Sequence, residues 1–568
     1  MDKNWHNLTI YLQSDININR YFIVIITGLC NTIKSEVFTE RGKVMEETKK
    51  RKLSPKTLIG ITIGAVILIG GTVAAYIFAN LSDKQKYFLA EKESIEFMNE
   101  QIEQRYESEF DWLETTREKP TETNYELSAE SDTPIIQGGM GIDPAQLINN
   151  STISYTHAAD MKNKKISGNL SANIGEIKVD NITFHLNSKQ FMVGLPFLEQ
   201  FISLKGENVG NLLQKIDSAT FTGEEKIDFN ILFEETLSED DKEYIQEEYG
   251  KFIYDQLPDE AFKTESETIK VHDKSLETDK ITMQLSEEKV KEILSKNIEK
   301  LRKDDKMKEL FRQLLEEQLM GLAAMPEIKK EMDQTMEDYD TSLEKAKENI
   351  DGFQIPEGLT STIWVHDDLI AQRDFNIQLG QNKERLTTIE FKGTQLLQEE
   401  RQQFNLALNV DDTIEGGKVS LSGDLSWKDK KAEDSLKLAF DEQAFTYDGK
   451  ETLKDGKRDF KRTISFQDPY TGDTQLIWNG TSNYKNDQMN EEHSFAFTDP
   501  NVDQNLFSLH ANVEGKTVDS VEIPSKDKTT EIGTMNEQEL MEYFETEVKP
   551  KFQGWMVEML SATGKMEF

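Results

Sequence analysis

Cysteine is nearly missing: Cys30 is the one thiol in 568 residues. That excludes a disulfide scaffold and any multi-thiolate metal site. Basic charge is short as well, with 66 Lys and Arg against 105 Asp and Glu, a net charge of −39. Phosphates would be repelled, so no nucleic-acid partner is expected. Long uncharged apolar runs are absent after residue 82, and no sorting signal of LPxTG type stands near the C-terminus. The seven histidines, at 6, 157, 185, 272, 366, 493 and 510, form no HxxxH pair. No GxSxG elbow, SxxK, Walker A or GxGxxG is present either, so hydrolase and nucleotide signatures are lacking. Carboxylates are so numerous that naming two as an acid–base pair would be arbitrary. We therefore expect no enzyme, and assign no catalytic, cofactor-binding or metal-binding residue.

What is present begins with Thr57 to Ser82, which carries no ionisable side chain. Its apolar heart, Leu58 to Ala79, would rise about 33 Å as a helix, enough for a hydrocarbon core. Lys49, Lys50, Arg51, Lys52 and Lys56 precede it, while Asp83, Lys84, Lys86 and Glu91 follow in near balance. That asymmetry places the N-terminus inside and the long C-terminal portion outside. Residues 1–56 have 10 basic and 6 acidic groups, and residues 83–568 have 56 and 99. A cleaved signal peptide competes with this reading. The apolar run is too long for one, and Tyr76-Ile77-Phe78 is bulky where a cleavage site would fall, so an uncleaved anchor is favoured. Gly60 and Gly64 have the spacing that lets two membrane helices approach, a route to a weak homodimer.

Residues 1–44 differ in character, and Met45 opens an ordinary short basic leader. The codons for Glu40-Arg41-Gly42-Lys43 can form a purine-rich run just upstream. The expectation is an over-extended gene start at 1–44, a cytoplasmic leader at 45–56 and a transmembrane helix at 57–82. The start codon, Met1 or Met45, stays open.

Beyond the anchor, Phe88, Ile95, Met98, Ile102 and Phe110 recur at helical intervals, which predicts a stalk helix over 83–117. Residues 118–149 lose that period and contain Pro120, Pro134, Gly138, Gly139 and Gly141, the marks of a linker or loop. The ectodomain, 150–568, starts with strands over 150–233. Ile166, Gly168, Leu170, Ala172 and Ile174 alternate with polar residues, and the phase flips at Asp180-Asn181, a turn or bulge. Pro196 to Phe201 could start a short helix. Residues 234–355 read as mainly helical, with Ser286 capping a helix that carries Val290, Ile293, Leu294, Ile298 and Leu301. A β-meander over 356–525 follows. Its alternating runs are separated by turn signals that include Asp448-Gly449, Asp455-Gly456, Gly472-Asp473, Asn479-Gly480 and Glu514-Gly515. A C-terminal helix is expected over 536–560. Whether the two β regions form one sheet or two is undecided. One feature approaches a metal loop: Asp499, Asn501, Asp503 and Asn505 have calcium-loop spacing. Gln504 and His510 stand where Gly and Glu would be needed, and a β-turn around Pro500 is favoured.

The basic leader Lys49–Lys52, the single anchor, the Cys-free acidic ectodomain and the passage Ile281-Thr282-Met283-Gln284-Leu285-Ser286-Glu287-Glu288 resemble uncharacterised single-pass envelope proteins of Gram-positive bacteria. More loosely, a meander with helices available for its concave face resembles LolA-like lipoprotein- and lipid-carrier half-barrels. Together these readings give an α+β fold: one N-terminal transmembrane helix, then an extracytoplasmic, half-barrel-like antiparallel β-meander with helices on its concave face. The resemblance implies a cell-membrane protein that binds an apolar ligand or lipid chain between sheet and helices. The alternative is a non-catalytic envelope protein of structural or protein-interaction type. The bilayer and the apolar ligand are the expected partners, with no cofactor.

Overall fold

The computed structural model describes residues 81–131, 144–233, 237–318, 326–383, 385–411, 416–469, 472–485, 487–498 and 507–562. The leader, almost all of the expected span at 57–82, Gly60, Gly64 and the calcium-like loop at 499–505 lie outside these residues.

Among the described residues twenty strands belong to a single sheet. They are β1 (Thr121–Ser131), β2 (Ser151–Asp160), β3 (Lys165–Ile174), β4 (Ile177–Asn187), β5 (Gln190–Gly194), β6 (Phe201–Lys205) and β7 (Phe262–Val271). Then come β8 (Lys274–Leu285), β9 (Leu359–His366), β10 (Leu369–Asn382), β11 (Arg385–Gln398), β12 (Arg401–Asp411), β13 (Gly417–Lys428) and β14 (Lys431–Phe440). The last are β15 (Gln443–Lys454), β16 (Lys457–Gln467), β17 (Thr474–Lys485), β18 (Gln488–Thr498), β19 (Phe507–Thr517) and β20 (Thr529–Glu531). In space β7 to β19 run in chain order, β1 pairs with β19, and β2 to β6 continue outward. Every pairing is antiparallel except that of β20 with β6. Among the described residues β7 and β20 are the two edges, so the sheet is open.

Residues read as a linker thus supply β1, a central strand, and the two β regions join through it. The phase flip at Asp180-Asn181 is a bulge inside β4, with Asn181 at φ 62. Residues 201–205, expected to follow a helix start, form β6 instead. Several glycines read as turns lie mid-strand. Gly449, Gly480 and Gly515 sit within β15, β17 and β19, each under an aromatic side chain: a Cβ on Gly480 would lie 2.5 Å from the Phe460 ring, and one on Gly515 2.6 Å from Trp112. Asp455-Gly456 does turn the chain between β15 and β16, and tight hairpins are made likewise by His272-Asp273, Asp367-Asp368 and Asp429-Lys430, all with positive φ, the geometry of a type I′ turn.

Among the described residues the six longest helices are α1 (Asp83–Arg105), α2 (Glu107–Glu118), α3 (Glu287–Lys303), α4 (Asp305–Gln318), α5 (Pro326–Asn349) and α6 (Lys549–Ala562). The start of α3 matches its sequence signal, since Ser286 Oγ accepts from Lys289 N at 3.3 Å. Val290, Ile293, Leu294 and Ile298 of α3 and Leu343 and Ala346 of α5 pack against β7–β10 in one buried cluster. Tyr87 and Phe88 of α1 complete it.

The segment read as a stalk lies flat on the sheet. Asp83 accepts from Thr264 N of β7 at 3.2 Å, whereas Trp112 covers Gly515 of β19. About 29 residues of helix separate those contacts, or about 44 Å. Twelve strand spacings of about 4.8 Å measure about 58 Å along the sheet. The helix is therefore a chord, and the sheet bows toward it without closing. Past this strut the same face continues apolar, with Phe445 47% and Phe497 44% exposed.

The expected α+β half-barrel behind a transmembrane helix is thereby corrected. The organising element is one 20-stranded, mostly antiparallel sheet. Among the described residues no helix is long and apolar enough to cross a membrane. The helix on the bowed face comes from residues 83–118; α3 and α5, which were to fill it, gather at the β7–β10 end.

Candidate functional site

Alternation sends the odd and even positions of each strand to opposite faces. On the face away from the strut, β14–β19 build a groove of about 730 Å³. Register explains its shape. One rim is a cross-strand row of directly opposed residues, Glu433, Lys450, Lys461, Asn479, Ser494 and His510. The other rim is Lys431, Thr452, Asp459, Thr481, Glu492 and Asn512. Between them runs the floor, Ala432, Glu451, Phe460, Gly480 and His493, whose side chains point to the opposite face. Five strand spacings make the groove about 24 Å long, and two residue steps set the rims about 7 Å apart.

The chemistry of the rims is that of hydrogen bonding in both directions. Thr452, Asn479, Thr481, Ser494 and Asn512 supply hydroxyls and amides, and three lysines stand among Glu433, Asp459 and Glu492. The rings of the floor, Phe460 and His493, belong to the other face, so among its lining residues the groove offers no Phe, Tyr or Trp as a stacking platform. The carboxylates Asp459 and Glu492 share one rim instead of facing each other across the groove. His510 meets Ser508 Oγ at 3.1 Å and Glu130 at 3.8 Å, both through Nε2. A nucleophile–base–carboxylate relay needs the two ring nitrogens separately, so none is assembled here.

The back of the floor is held by buried ions. The Glu451 side chain is 0% exposed and receives Arg105 at 3.2 Å, Arg458 at 3.0 Å and Arg462 at 2.6 Å. Tyr106 OH donates to it at 3.2 Å. Arg105 also grips Asp434 through two hydrogen bonds, at 3.1 and 2.5 Å, and Arg458 reaches Glu109 at 2.7 Å. Three guanidinium groups thus meet three carboxylates, which keeps the cluster neutral. Burial alone would raise the Glu451 carboxyl, but Arg462 and Arg105 outweigh it and hold it below the usual carboxylate range. Arg462 lies 4.1 Å from the Phe460 ring centre and 4.6 Å from that of Trp478. Next along the floor, His493 accepts from Trp478 Nε1 at 3.2 Å and contacts Glu491 through Nε2 at 3.1 Å. Burial opposes the Glu491 charge too, yet hydrogen bonds from His493 and Tyr484 keep its carboxyl low. The strut and the floor are therefore clamped to each other.

No protein family matches the chain, and neither does any curated protein. It is similar in part to solved outer-membrane proteins. Pseudomonas aeruginosa OpdO is matched over 70% of this chain and 96% of its own, at 5% identity and TM-score 0.22. Acinetobacter baumannii OccAB2 is matched over 70% and 97%, at 5% identity and TM-score 0.23. A loop-deleted OmpT, an outer membrane protein of Vibrio cholerae, is matched over 70% and 97%, at 6% identity and TM-score 0.15. At a similarity this low no property of those proteins is carried over.

Two functional expectations are corrected here. An apolar ligand or lipid chain between sheet and helices is not supported, because packed side chains and ion pairs occupy that interface at α1 and α2. The expected single-pass protein of the cell membrane with an outside ectodomain is corrected as well: among the described residues no helix is long and apolar enough to span. Among the described residues no group of three His, Cys, Asp or Glu could hold a metal.

Proposed function

We propose that this chain is a non-catalytic binding protein that holds an extended, hydroxyl-rich polar chain in the groove across β14–β19. The observation that supports it is the register itself: twelve polar side chains stand in two matched rows across six strands. A length of about 24 Å suits a chain better than a compact metabolite. Mixed donors and acceptors without an aromatic wall suit hydroxyls better than ring faces. The rigid floor lowers the ordering cost of binding. The test is hydrogen exchange on the full chain with soluble polysaccharides and polyol polymers. Slowed exchange confined to β14–β19, abolished by Thr481→Val with Asn512→Ala, is the expected result. Binding that leaves those strands unprotected would overturn the reading.

A further inference from the structure

Within that groove, we propose that Lys461 receives an anionic group of the bound chain, so that the ligand is a phosphate-, sulfate- or carboxylate-bearing polyol or glycan. The inference rests on the groove being a binding site and adds the charge of what it binds. Lys450 and Lys461 are directly opposed on neighbouring strands. Like charges in that position destabilise a sheet. Lys450 is compensated from its other side by Glu433 at 3.1 Å, both side chains 74% exposed. Lys461 has no carboxylate within salt-bridge distance among the described residues, although the chain carries 105 acidic residues. Its next neighbours along the rim are Asn479 and Ser494, an amide and a hydroxyl that donate hydrogen bonds to anion oxygens. An unpaired cation opposite another cation, flanked by neutral donors and set in a groove, has the composition of an anion subsite.

The experiment is calorimetric titration of the full chain with dextran sulfate and with neutral dextran at low salt. Wild type is expected to prefer dextran sulfate, with affinity falling as salt rises. Lys461→Gln should weaken that binding about three- to tenfold, Lys461→Arg should retain it, and Lys549→Gln, a remote lysine paired with Glu545, should change nothing. Relief of the like-charge contact should leave the melting temperature of Lys461→Gln unchanged or higher, so lost binding cannot be lost folding. Equal binding of both polymers at β14–β19, indifferent to Lys461→Gln, overturns the anion assignment and leaves the groove standing. Absence of either polymer from β14–β19 overturns the groove reading itself.

Discussion

Replacing Glu451 with Gln would leave Arg105, Arg458 and Arg462 with their central carboxylate gone. Arg458 is 3% exposed and Arg105 8%, so water cannot take its place. Breaking a buried ion cluster by removing one partner costs about 3–5 kcal/mol. Unfolding entropy near 2.1 cal/mol/K per residue gives about 0.9 kcal/mol/K for the roughly 440 described residues melting together. The variant should therefore melt about 3–5 °C lower near neutral pH, by calorimetry or circular dichroism. The pH dependence adds a second constraint. Because the folded carboxyl sits below its ordinary 4.5, its contribution is present above that pH and lost as pH falls through the folded value. The difference from wild type should hold from pH 8 to pH 6 and shrink in acid below about 4.5. An unchanged melting temperature at pH 7, or a gap that widens in acid, would refute the clamp.

Three further outcomes can be checked by simpler means. Gly480→Val places its Cβ 2.5 Å from both the Glu492 carbonyl and the Phe460 ring, and should lower stability by about 1–3 kcal/mol in urea unfolding. Tyr87→Phe removes the 2.7 Å bond to Ser361 and should cost about 1 kcal/mol by the same measurement. The uncovered apolar face should bind the dye ANS in the native state, and Phe445→Ser with Phe497→Ser should reduce its fluorescence while changing stability by less than about 1 kcal/mol.

The strands of the meander were legible because alternation is local. Leu406 and Leu408, or Leu436 and Leu438, declare a two-residue period whatever they pair with. The strand at 121–131 carried the same signal, Thr121, Thr123, Tyr125, Leu127 and Ala129 against Glu122, Asn124, Glu126, Ser128 and Glu130. It was masked by the prolines and glycines on either side. Glycine misled for a physical reason: in Asn479-Gly480 and Glu514-Gly515 it makes room for a ring from another element instead of turning the chain. Conversely, hairpins built on Asp-Asp or Asp-Lys left no glycine to notice. The groove could not be read at all. Lys450 and Lys461 are eleven residues apart in sequence, and only the register of β15 on β16 sets them opposite each other.

The position of β1 has a consequence for how the molecule is made. Its inner neighbour in the finished sheet, β19, leaves the ribosome about 390 residues after it, which is about 20–80 s at ordinary rates of synthesis. Through that interval β2 can occupy one side of β1 while the other side waits. Until β19 arrives, strands β1 to β6 and strands β7 to β18 are two separate sheets, each with an open edge facing the place where the other will be. A chain released before residue 507 would keep both edges and join neither, so one of the last strands to be made turns two half-proteins into one.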